Sequence, residues 1–153
     1  MAVVAKFAES FIEDVFKGVH DLISDVIKIG LLNTSYVFDP ETDTDFDGVG
    51  GLGTNYQITS AGGYAAIELT DVAVAATVTS SDGVIAITCT NNPTWTATGA
   101  AMDATKAACI YNDTVSPKKI IMVIDFGATY TTADTKLFRV DMSAGVATAA
   151  ITI

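Results

Sequence analysis

Residues 107–126, AACIYNDTVSPKKIIMVIDF, leave this chain the fewest choices of fold. Two arms rich in Ile, Val, Tyr and Phe flank a polar centre built on Asn112, Asp113 and Pro117, and neither arm repeats with helical spacing. β-Branched and aromatic side chains suit a pleated surface, and Pro117 with Lys118 and Lys119 can turn the chain without interrupting a ladder. The stretch therefore predicts two central strands of a β core.

Other segments carry the same signature more briefly. Residues 26–32, VIKIGLL, read as a first strand that Asn33 to Tyr36 end in turn chemistry. Residues 64–69 and 72–78 read as strands, and Ser81-Asp82-Gly83 as a tight turn into residues 84–90. LFRVDM and VATAAITI around Ser143-Ala144-Gly145 predict a last hairpin. The one strong helical pattern opens the chain. From about residue 4 to 19, extendable to 23, Phe7, Phe11, Val15 and Val19 form a stripe with Ile12 and Phe16 beside it, and Lys6, Glu9, Ser10, Glu13 and Lys17 lie opposite. Each phenylalanine would contribute roughly 2 kcal/mol if buried, so this helix packs on the sheet or docks on a neighbouring subunit. Phe7, Phe11, Phe16 and the single Trp95 are the interface candidates. The expected fold is mainly β (α+β): an antiparallel β-sandwich or barrel of about eight strands with one N-terminal amphipathic helix. The 153 residues suit a single domain, 1–153, with the helix over 4–23 and the β domain over 24–153.

A long acidic, glycine-rich loop over 37–63 is expected to form no core of its own. Asp43, Asp45, Asp47 and Gly48 spell the D-x-D-x-D-G opening of a calcium loop, in which alternate carboxylates can converge on one hard cation. The twelfth position, where a bidentate Glu belongs, holds Thr54, and no helices flank the segment, so a solvated loop is the simpler reading and no metal site is assigned. Gly48, Gly50 and Gly53 match G-x-G-x-x-G only formally, because a dinucleotide site needs a strand before it and a helix after it.

Catalytic chemistry has little to work with. The only histidine, His20, stands at the end of the opening helix without a second ligand or a paired nucleophile, and reads as a surface or capping residue. Cys89 and Cys109 lie far apart without a C-x-x-C and read as small buried hydrophobes. Asp125-Phe126-Gly127 lacks every other kinase feature. An enzyme is not expected, and no cofactor is called for. Eighteen acidic residues against 8 basic ones give a formal charge of −10, which repels phosphate backbones and anionic lipid. Charged residues make up 17% and apolar ones 50%, with a mean hydropathy of +0.42, so part of the surface is expected to lie under neighbouring subunits. The start of the chain lacks the order of a secretory signal, and no apolar run reaches the roughly 18 residues of a membrane helix. Synthesis in the cytoplasm is the expectation.

An aromatic-rich opening segment, IKIGLLNTSY, GTNY with AGGY, TWTAT, AACIYNDT and IIMVIDFGA follow one another in this order. Over residues 6–141 the chain thereby resembles a family of small tailed-bacteriophage virion proteins, the head decoration or cement proteins. The stretch after Tyr56 is longer than the family's usual form, and the C-terminus is richer in alanine. The resemblance implies a non-enzymatic protein on the capsid exterior, made in the host bacterial cytoplasm. Its implied partners are the major capsid protein and itself, as a homo-oligomer with a trimer the expected form, and neither nucleic acid nor membrane. A tail or baseplate protein of the same virion is the first alternative. A carbohydrate- or calcium-binding module, resting on Trp95, Tyr56, Tyr64 and the acidic loop, is the second.

Overall fold

The computed structural model describes residues 3–70, 72–78, 82–142 and 148–152; of 73–78, 82–87 and 148–152 it describes the backbone alone. The chain is mainly β, with antiparallel pairing throughout the described strands. At its centre stand β7 (Thr105–Asn112) and β8 (Ile120–Tyr130), the two arms of the expected hairpin, paired through Ile110↔Met122 and Ala108↔Ile124. Residues 107–112 and 120–124 are all buried. Since successive side chains alternate between faces, such a run means that both faces of the sheet are covered, which is why these arms read as continuous apolar stretches. On the other side of β7 lies β2 (Ile27–Asn33), in register Ile29↔Ile110, and Ser35 donates its backbone N–H to Asn33 Oδ1 at 2.9 Å in the expected turn. Beyond β2 comes the two-residue β3 (Ile67–Glu68).

The other edge of this sheet corrects the sequence reading. Val4 to Phe7 are not the start of a helix but a strand, β1 (Val4–Phe7), laid antiparallel along β8 with Val4↔Asp125 and Phe7↔Met122. The sheet order is thus β1-β8-β7-β2-β3. Helix α1 (Glu9–Phe16) begins after Ala8, whose N–H is used by the Ile121 carbonyl, and it ends where Gly18 takes a φ of +70°. The expected helix over 4–23 is therefore only its middle third or so. The extended backbone of VAKF wins because an exposed sheet edge offers it ladder hydrogen bonds that one more helical turn could not better.

The remaining strands are β4 (Ala73–Val78), β5 (Asp82–Thr88), β6 (Thr94–Thr96), β9 (Leu137–Arg139) and β10 (Thr148–Thr152). They form a three-stranded sheet in the order β10-β5-β4 and a two-stranded sheet of β6 and β9. The expected last hairpin does not form, since β9 pairs with β6 and β10 with β5; the turn assigned to 143–145 lies outside the described residues. Of the turn assigned to 81–83, Ser81 lies outside them too, while Asp82 and Gly83 belong to β5. The strand expected over 64–69 shrinks to Ile67 and Glu68.

The acidic segment over 37–63 also departs from expectation, because it supplies core residues. It carries a short helix, α2 (Leu52–Tyr56), and buries Phe46, Leu52 and Ile58 against the sheet. The Phe46 ring lies flat on Tyr111 of β7, centroids 3.7 Å apart and planes 6° apart. Around the ring the chain has given up side chains. A Cβ on Gly53 would stand 2.5 Å from Phe46 Cε1, and one on Gly30 of β2 would stand 3.0 Å from its Cζ. Backbone hydrogen bonds from Phe46 to Lys118, from Ile120 to Thr44 and from Ile58 to Leu31 stitch the segment down. No helix among the described residues is long and apolar enough to cross a membrane.

Candidate functional site

Each carboxylate of the D-x-D-x-D-G sequence has its own protein partner. Asp43 accepts from the Tyr36 hydroxyl at 2.6 Å, Asp45 pairs with Lys119 Nζ at 2.7 Å, and Asp47 accepts the backbone N–H of Lys118 at 2.6 Å. Burial pushes the Asp43 carboxyl up, the Tyr36 hydroxyl pulls it down, and the net direction is upward. That shift works against the ionised form, which is the form a calcium ligand uses. The recess between this strip and Val49 to Gly51 measures about 110 Å³. No group of three or more ligating side chains is gathered for a metal among the described residues.

Most lysines are likewise engaged with acids. Lys28 and Lys118 both hold Asp113, at 2.5 and 2.6 Å, and Lys17 holds Glu13 at 2.5 Å one helical turn away. Burial raises Asp113, but hydrogen bonds from Lys118 and Lys28 outweigh it and bring the carboxyl below its usual value. Neither thiol is set up as a nucleophile. Cys109 is fully buried, and desolvation raises its thiol well above 9.0; Cys89 is raised too, by partial burial, with its Sγ 3.1 Å from the Asn91 carbonyl.

The four interface candidates divide. Trp95 is buried in β6: its indole N–H donates to the Ala65 carbonyl at 2.8 Å, and its ring sits between Tyr64 and Phe138. Tyr64 is buried as well, its hydroxyl accepting the Leu31 N–H at 2.8 Å, so neither ring offers an exposed face on which a sugar could stack. Phe11 points inward from α1 and stacks on the half-buried Phe7 at 5.1 Å. Trp95 and Phe11 are core side chains, and Phe7 packs against the core while staying partly open. Phe16 alone is free, 88% exposed at the end of α1.

Sequence reasoning also missed that apolar residues near Phe16 in the chain are exposed. Val15 precedes it at 42% exposure, and Ile23 and Val26, in the connection from α1 to β2, are 88% and 37% exposed. Ile23 and Val26 border an open groove of about 630 Å³ whose other apolar walls are Leu22, Leu69 and Val72, with Asp25 and Glu68 among the polar ones. The only sequence signal for it was the opening pattern itself, which placed apolar residues on more of the helix than one buried stripe can use. A second groove, of about 410 Å³, lies where β8 meets β9 and is walled by Phe126, Tyr130 and Phe138. What this arrangement can do chemically is shed water from apolar surface against another protein. No family model matches the chain, and no curated protein or solved structure matches it either.

Proposed function

We propose that this chain is a non-enzymatic structural protein of a tailed-phage virion, a decoration or cement protein that binds the capsid exterior and holds the shell together. The observation that carries the reading is the exposure of Phe16 and Ile23, both 88% open to water, in a chain that also leaves Val37, Val49 and Leu137 exposed. Burying both would contribute on the order of 3–5 kcal/mol per copy. Repeated over a lattice, contacts of that size add through avidity without any single strong site. The charge of −10 favours the outer face over the genome side, where the packaged phosphates would repel it. Self-association as a trimer and docking on the major capsid protein are the contacts these side chains would serve. A β-sandwich, with the five-stranded sheet covered on both faces, is the architecture that goes with this reading.

The deciding experiment uses the double variant Phe16→Ser, Ile23→Ser. It should keep the melting temperature of the native chain and lose both self-association and binding to preassembled shells. Particles made without the protein should form, then burst earlier on heating, and purified protein should restore them. Full binding by the double variant, or heads with normal resilience and missing tails, would refute the assignment; the second outcome points to the tail alternative.

A further inference from the structure

His20, unremarkable in the sequence, is the hub of a half-buried polar cluster between α1 and the ends of β2 and β7. Its Nδ1 lies 3.2 Å from Nδ2 of Asn112, a residue with no exposure at all. The orientation of that amide is fixed from its other end, because Oδ1 of Asn112 accepts the Thr114 N–H at 2.9 Å. The nitrogen therefore faces His20, and it carries two hydrogens: one is donated to Asp25 Oδ2 at 2.6 Å, and the other meets the histidine. Nδ1 must accept, so neutral His20 keeps its proton on Nε2.

Protonation turns this contact into a donor facing a donor. Asn112 cannot rotate its amide to help, since that would set its oxygen against the Asp25 carboxylate and leave the Thr114 N–H without its acceptor. On the helix side, three buried polar atoms have no partner: Nε2 of His20, Oδ2 of Asp14 and Oγ of Ser10, the last two one turn apart on α1. We propose that His20 is an acid-operated latch, holding the connection after α1 on Asn112 of β7 when neutral, and leaving Asn112 for the Asp14 side of α1 when protonated. The charged groups acting on the ring are Asp14 of α1 and Asp25 before β2, which favour the cation, and Lys119 before β8, which opposes it. The Phe11 ring, 5.2 Å away, offers no charge.

Burial is the largest influence and sets His20 below its ordinary 6.5. A histidine depressed in the folded state contributes stability that is present above 6.5 and is lost as pH falls toward the folded value. Each unit of depression shifts the latch by up to about tenfold. The inference rests on these contacts and not on the proposed virion role.

The chain holds a single histidine, so one imidazole signal reports the latch. In isotope-labelled protein at pH 7.5, nitrogen NMR should find the proton on Nε2, and titration should give a midpoint below 6.5 with the Asn112 side-chain amide moving in the same step. Amide exchange of α1, corrected for intrinsic rates, should accelerate between pH 7 and pH 5. His20→Asn supplies a non-titrating acceptor in the place of Nδ1, and its α1 should show no such acceleration. A proton on Nδ1 at pH 7.5, a midpoint at or above 6.5, or the same pH response in His20→Asn would each overturn the proposal. The first two are read on the native sequence, so they decide even if the variant fails to fold.

Discussion

Replacing Gly53 with Ala tests whether the acidic segment is packed as tightly as it is drawn. A Cβ there would lie 2.5 Å from Cε1 of Phe46 and 2.8 Å from both Cδ1 and Cζ. The ring has nowhere to retreat, with Tyr111 stacked at 3.7 Å and the Cα of Gly30 close by. Overpacking of this kind costs about 1–3 kcal/mol. The backbone has no objection of its own, because Gly53 lies in a helix without a positive φ, and Ala is favoured over Gly there by up to about 1 kcal/mol. The sign of the effect therefore depends on the ring. In the native background Gly53→Ala should destabilise by about 1–3 kcal/mol, and in a Phe46→Ala background, itself costing about 3–5 kcal/mol, the same change should be neutral or stabilising. Urea unfolding of the four proteins measures the coupling. Equal costs in both backgrounds would show that Phe46 is not what Gly53 makes room for, and the packing of the segment would have to be redrawn.

Phe11→Ala should lower stability by about 3 kcal/mol in urea unfolding, as a large-to-small change in the core, whereas Phe16→Ala should leave the isolated subunit unchanged. Asp43→Asn keeps an acceptor for Tyr36 and removes a charge that burial disfavours. A carboxyl raised in the folded state makes stability fall as pH climbs above 3.8, so this variant should be at least as stable as the native chain at pH 7, with a flatter pH profile in thermal melts. An aromatic disulfide reagent should label no more than Cys89 in the folded protein and both thiols in urea; rapid labelling of Cys109 in buffer would contradict its burial.

What could be read from the sequence was whatever local pattern alone decides. The arms of β7 and β8 and the strand β2 are buried on both faces, and their continuous apolar runs announce them. Val4 to Phe7 could not be told from the first turn of a helix, because Phe7, Phe11 and Val15 recur every four residues straight across the boundary at Ala8. Their pairing with β8 is a fact about residues more than a hundred positions away. Phe46, Leu52 and Ile58 fit neither period, being anchored one by one through contacts with β2 and β7, so a segment rich in Asp and Gly read as solvent-facing. The interface candidates divide for a related reason: Trp95, Phe11 and Phe16 look alike in a sequence, and only the fold says which of them has been covered. His20 stood alone because Asn112 and Asp25 reach it only through the sheet.

The position of β1 has a consequence in time. Its four residues are synthesised before every other described strand, and their partners, Met122 to Asp125, follow more than a hundred residues later. Between β2 and β7 the separation is scarcely smaller, with Ile27 opposite Asn112. Closing such distant pairings carries the loop entropy of most of the chain, so folding is expected to be slow for a domain of this size. On the ribosome the central sheet has no stable fragment to build from until β8 has emerged. During that interval the apolar arms of β2 and β7 wait unpaired, and the acids scattered through 37–51 are then the nearest like charges able to keep one nascent chain from joining another.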